Sequence, residues 1–286
     1  MDQQNPILDN LKKDCLNHLD ENTGNWLASK LSGNPEPSAF YLTFGLIGRK
    51  VPSTQVDLSP ETQNLFEEIN PDFKSEPFSL DEYCRLLLLL SAEPESNHTL
   101  ISTMIGSADR KELVTIFKSV QYLSNAADFK MEMIDGLRTN MIDVFDAISR
   151  YQSFPFRFFH QDAWNQMVLK AIFMERPLYK IQGLDKNRNQ KLTDTLHDFV
   201  HERWSAGRNV HPELWRLILG FENDLLVADM VGLSGSGSEL DQLAVRKTLF
   251  GSEHSAAKKW CRENEGLKPE QSWSEIGEML EVAQSN

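Results

Sequence analysis

Apolar side chains recur at steps of three and four residues through nearly the whole chain. Leu8, Leu11, Cys15, Leu16 and Leu19 follow that spacing and continue to Trp26, Leu27 and Leu31. It lays one apolar stripe along a helix of 3.6 residues per turn. The spacing predicts one helix over this stretch, ended by Gly33 and Pro35. A second apolar segment, Phe40 to Ile47, follows, and further helices are expected around Leu65, Phe66 and Ile69 and along the five leucines 86–90. Others should carry Leu113 to Val120, Met131 to Leu137, Val144 to Ile148 and Trp164 to Phe173. Several have start signals. Ser59 precedes Pro60, and Ser79 and Asp109 each have a glutamate three residues later, Glu82 and Glu112. No alternating run of β-branched residues is long enough to require a strand. The expected fold is all-α, with roughly a dozen short helices in an irregular HEAT-like stack or helical bundle.

The later part continues the pattern. A long helix should run from Gln190 to a C-terminal Gly207, and Pro212 should open a short helix with Leu214, Trp215 and Ile218. The run Gly232 to Ser238 reads as a flexible connector. Beyond it, the helices around Leu240 to Phe250, Ala256 to Cys261 and Ile276 to Val282 suggest a separate extension. Two domains are therefore expected: a helical domain over 1–231 and a HEAT-like helical extension over 232–286.

Composition narrows the function. The 286 residues are 40% hydrophobic and 25% charged, enough apolar material for a sizeable core. The net charge of −13 argues against binding a phosphate backbone or an anionic membrane, since both need clustered Lys and Arg. The polar, acidic start is no secretory signal, and no apolar run approaches a membrane span. A cytoplasmic protein with no membrane span and no nucleic-acid partner is expected. Three cysteines, Cys15, Cys84 and Cys261, are too few and too scattered for a disulfide framework or a cysteine-based zinc site.

Few residues carry a chemical signal. On a helical wheel Asn165 falls within the stripe of Val168, Leu169 and Ile172, so its amide needs a partner. It is a core amide first and a pocket-lining one second. Arg203 shares a face with Leu192, Leu196 and Phe199; its guanidinium should be buried and paired with a carboxylate. Asp135, Asp143 and Asp146 are the candidate partners. An anion site is the alternative, because the planar fork also suits a carboxylate or phosphate. His197 and His201 lie one turn apart, a spacing that can hold a metal, but their face is polar and the zincin glutamate is missing. No metal is expected, with that pair as the alternative; His160 and Asp162 could join only if folding brings them near. The glycines of 232–237 match neither a nucleophile elbow nor a phosphate loop. The sequon Asn97-His98-Thr99 means nothing without a secretory signal.

A series of short motifs stands out from Leu137 to Arg208. It comprises Leu137-Arg138-Thr139-Asn140, Phe145-Asp146-Ala147-Ile148, Ala163 to Ala171, Gly183-Leu184-Asp185 and Glu202 to Arg208. In that order it resembles the EboA family, named for a bacterial and algal-plastid gene cluster. The resemblance covers most of the chain, is strongest from Met131 to Trp215 and loosens past Gly232. The family has glutamate where this chain has Asp135 and Asp146. The resemblance implies company with a UbiA-type prenyltransferase, a TatD-like hydrolase, a sugar-phosphate cyclase and a TIM-barrel protein, but it supplies no reaction. Positions matching the family's polar motif residues are Arg138, Asn140, Asn165, Gln166, Lys170, Arg188, Asn189, Glu202, Arg203 and Arg208. Of these, Arg138, Asn140, Asn165, Gln166, Lys170, Glu202 and Arg203 are the ligand-binding candidates. The expected role is a non-catalytic binding or scaffold component of an ebo-type small-metabolite pathway. Its partners would be an intermediate or other enzymes of the pathway. The alternative is an enzyme acting on a cyclitol- or isoprenoid-related intermediate at Asn165, Lys170 and Arg203, with His201 or a carboxylate moving a proton. The sequence names no cofactor and no catalytic residue.

Overall fold

The computed structural model describes residues 6–31 and 36–285. Gly33 and Pro35, the expected end of the first helix, lie outside them. The described residues form sixteen α-helices, several 3-10 turns and one isolated bridge between Gln55 and Ser79, with no strand among them. The protein is all-α, with more helices than the dozen expected. It divides into two compact units, one ending at Phe159 and the other beginning at His160. Both sides of the expected 231/232 division fall in the second unit.

The first unit contains α1 (Pro6–Asn17), α2 (Glu21–Lys30), α3 (Pro37–Lys50), α4 (Pro60–Ile69) and α5 (Leu80–Ser91). It continues through α6 (Pro94–Ile105), α7 (Arg110–Ser119), α8 (Lys130–Gly136), α9 (Ile142–Ser149) and α10 (Phe154–Phe158). The central element is α5. Its residues from Tyr83 to Leu90 are all buried, which fits a helix apolar on every side. It packs against α1, α3 and α7. The charges that α5 takes inside are paired. Arg85 donates to Asp81 at 3.1 Å and to the Phe44 carbonyl at 3.2 Å, and Glu82 accepts from Lys118 at 3.1 Å. A methyl on Gly48 would meet Arg85 Nη2 at 2.2 Å, so a side chain there would have to push the paired guanidinium aside.

Two expectations change here. The stripe from Leu8 to Leu31 is two helices, not one. Asp20 takes an extended backbone, and its carboxylate accepts the N–H groups of Asn22 and Thr23, starting α2. The cysteines are far apart in sequence but not all isolated in space. A hydrogen bond between the Cys15 and Cys84 thiols, together with burial, holds Cys15 well above the usual thiol range. The capping signals hold. Glu82 accepts the Ser79 N–H at 2.9 Å, Asp109 and Glu112 exchange bonds in both directions, and Ser59 caps Thr62. Asn97 is buried and exchanges amide hydrogen bonds with Asn125, so the sequon is a core contact.

The second unit contains α11 (Gln161–Phe173), α12 (Gln190–Ser205), α13 (Asp224–Ser236), α14 (Glu239–Gly251), α15 (Ser255–Glu263) and α16 (Trp273–Ser285). Short 3-10 segments at Leu178–Lys180 and Pro212–Ile218 join them. The latter was expected to be a short helix; it is a tight 3-10 run that buries Leu214, Trp215, Leu217 and Ile218. α14 packs against this run and against α13, α15 and α16. Gly207 ends α12 as expected, at φ +66°, with its N–H on the Trp204 carbonyl and the Arg208 N–H on that of Arg203. The connector expectation fails: α13 continues through Ser236, and only Gly237 and Ser238 turn the chain into α14. Packing of Leu226, Val227 and Met230 against neighbours overrides the weak helix propensity of Gly232 and Gly235.

Candidate functional site

A cavity in the second unit brings aromatic, cationic and acidic side chains together. Its volume is about 240 Å³. Ile172 and Phe173 at the end of α11, Phe199 and Arg203 on α12, the loop Asn209–Pro212, the start of α14 and Leu280 on α16 enclose it. Phe173 and Phe199 meet edge to face at 4.8 Å, and the Arg203 guanidinium lies 5.9 Å from the Phe199 ring centre. Arg203 Nε donates to the Asn209 carbonyl at 2.9 Å, which fixes the fork against the loop. Asp241, Glu175 and His211 also line the cavity. Asp241 is engaged in capping α14, accepting from the Ser238 hydroxyl and N–H.

Arg203 thus differs from the expectation. It is half-buried rather than buried, and no carboxylate pairs with it among the described residues. Asp143 holds Arg110 at 2.6 Å, Asp146 holds Arg150 at 2.8 Å, and Asp135 lies 3.6 Å from Arg138. The wheel placed Arg203 beside the apolar stripe correctly. It could not see that the last turn of α12 reaches the mouth of a cavity.

Asn165 is buried and shares a reciprocal amide pair with Asn189, at 2.8 and 3.1 Å. The same Asn189 side chain caps α12 by accepting the Leu192 N–H. Asn165 therefore positions a helix start. Lys170 is half-buried, and desolvation lowers its ammonium pKa; it does not line the cavity. Gln166 and Glu202 are exposed. Arg138 and Asn140 are exposed on the turn between α8 and α9, in the first unit.

His197 and His201 project from α12 toward α13, where Asp229 meets them. His201 Nε2 lies 2.9 Å from Asp229 Oδ2 and 3.1 Å from His197 Nε2. Asp162 is not part of this group; it binds Lys191 at 2.8 Å.

A family model described as "Metabolite traffic protein EboA" matches residues 7–219. The chain belongs to the EboA family. No curated protein and no solved structure matches it. The EboA match ends with the 3-10 run, so α13 to α16 lie beyond it. Within it, the Gly183-Leu184-Asp185 motif has a structural role. Gly183 sits at φ +78°, and Asp185 grips Arg216 with two bonds of 2.6 Å. Burial alone would raise the Asp185 carboxyl, but the Arg216 hydrogen bonds and charge lower it below the usual range. Arg188 completes the group, reaching Asp185 and the Leu219 carbonyl.

Sequence reasoning missed two groups. Glu213 is fully buried, accepts the Leu178 N–H at 2.9 Å, and is pushed up to about 7 by burial. His211, at the cavity wall, is pushed down to about 4, also by burial. The available signal was a lone glutamate among Val210, Leu214, Trp215, Leu217 and Ile218.

Proposed function

We propose that this EboA-family chain is a non-catalytic binding component of an ebo-type small-metabolite pathway. Its ligand would be a small molecule with an anionic or strongly polar head and an apolar body. The observation that carries this reading is the Arg203 fork, stacked on Phe199, tied to the Asn209 carbonyl and unpaired with any carboxylate among the described residues. A guanidinium held in this way is preorganised for a carboxylate or phosphate, and the phenyl rings beside it suit an apolar body. The family description, metabolite traffic, favours carriage over turnover. In this reading the protein is cytoplasmic, and the pathway's enzymes deliver or collect the ligand. No helix among the described residues is long and apolar enough to cross a membrane.

The test is to incubate purified protein with extract of its host, wash it, and identify retained small molecules by mass spectrometry. Wild type and Arg138→Ala should retain the same anionic compound, and Arg203→Ala should lose it. Retention of nothing by wild type, or equal retention by Arg203→Ala, defeats the proposal. Consumption of a compound with appearance of a product would favour the enzyme instead.

A further inference from the structure

The histidine pair on α12 faces a carboxylate of α13, Asp229, 28 residues beyond His201. Three atoms converge there: Nε2 of His197, Nε2 of His201 and Oδ2 of Asp229. Their separations are 3.1, 2.9 and 3.6 Å. Atoms bound to one zinc ion at about 2.0–2.2 Å in a tetrahedral arrangement are separated by about 3.3 Å. The observed triangle has that size.

Protons alone satisfy this triangle poorly. If His201 carries the Nε2 proton, it must share it between Asp229 and the His197 lone pair. If His197 carries it and donates to His201, the His201 lone pair faces a carboxylate oxygen at 2.9 Å. If both carry one, both must point at the single oxygen Asp229 Oδ2, at 2.9 and 3.6 Å, with the two nitrogens crowded at 3.1 Å. A cation at the centre accepts all three lone pairs together.

We infer that His197, His201 and Asp229 form a site for a divalent first-row cation, with zinc as the reference ion. Two imidazoles and one carboxylate suit zinc, iron, nickel or copper better than magnesium or calcium, which prefer an all-oxygen shell. The i, i+4 spacing on α12 puts both rings on one face. His197 and Asp229 are each 20% exposed, whereas His201 is 50% exposed. The site is therefore shielded on the helix side and open to solvent past His201, where Trp204 stands 5.5 Å from the ring. The open side leaves coordination positions for water or a ligand oxygen. Both histidines fall within the family match and Asp229 falls beyond it, so the ion would clamp α13 onto the EboA domain. This inference does not depend on the Arg203 cavity.

The experiment uses the full chain stripped with a chelator and then titrated. Zinc is followed by calorimetry and cobalt by its visible absorption. One zinc should bind per chain with a Kd of about 10 µM or below. The melting temperature should rise by about 5 °C or more at saturating zinc. Cobalt should give a ligand-field band. His201→Gln and Asp229→Asn should each lower zinc affinity about tenfold or more and abolish the band, while His254→Ala leaves both unchanged. Circular dichroism checks that the variants fold. Should Asp229→Asn unfold, His201→Gln, at a half-exposed side chain, decides alone. No one-to-one site in wild type, or zinc uptake unaffected by His201→Gln, overturns the inference.

Discussion

Single residues in this protein differ most in what their burial costs. Asn165 and Asn189 satisfy each other inside the second unit, so Asn165→Ala leaves one buried amide short of its partner and loosens the start of α12. The expected loss is about 1–3 kcal/mol, read from the urea midpoint, and a loss below the error of that measurement would contradict it. Glu213 and His211 run in opposite directions with pH. Folded Glu213 keeps its proton up to about 7, while an unfolded glutamate releases it near 4.5. Between those values the folded state holds the extra proton, so stability falls as pH rises. Folded His211 resists protonation down to about 4, while an unfolded histidine takes a proton below about 6.5. There stability rises with pH, and the two slopes oppose each other. Glu213→Gln removes only the first. Its advantage over wild type should grow between pH 4.5 and 7, level off above, and reach roughly 3 kcal/mol. Urea unfolding at pH 5 and pH 8 measures it; an advantage independent of pH would refute the assignment.

At the scale of elements, the same substitution should act with opposite signs at two glycines. Gly207 ends α12 at φ +66°, and a methyl there would touch nothing within 4 Å. Gly207→Ala therefore costs only backbone strain, about 1 kcal/mol. Gly232 lies inside α13, also with nothing within 4 Å of an added methyl. Gly232→Ala should stabilise by about 0.5–1 kcal/mol. Thermal melts of both variants check the pair; a lowered melting temperature for Gly232→Ala would contradict a helix at Gly232, and a raised one for Gly207→Ala would contradict the left-handed cap. Start signals such as Asp109 with Glu112 were readable, because a cap needs only residues three apart. The helical state of Gly232 to Ser236 was not, because packing from distant residues outweighs local propensity.

For the whole molecule, net charge is the property that needs no coordinates. At −13 the chain should form no salt-sensitive complex with generic duplex DNA in a gel shift. A complex that weakens steeply with salt would contradict that reading. The far-UV spectrum should be that of an all-α protein, since the described residues contain helices and no strand. A substantial sheet signal would contradict the fold.

The division between sequence and structure follows the range of the physics. Helical class, most caps, the Gly207 terminus and the apolar faces depend on neighbours three or four residues away, and the sequence determined them by itself. The helix along the five leucines of α5 was expected too, but its central place came from packing against α1, α3 and α7. Partners depend on which distant residues meet. Asn165 found Asn189, Asp185 found Arg216, and Arg203 found a loop carbonyl where a carboxylate was expected. The pair His197 and His201 was visible as a spacing, but Asp229 was only another exposed-looking acid until α13 folded against α12. Tertiary structure decided these because a side chain's partner is set by packing geometry, which a helical wheel drawn for one element does not contain.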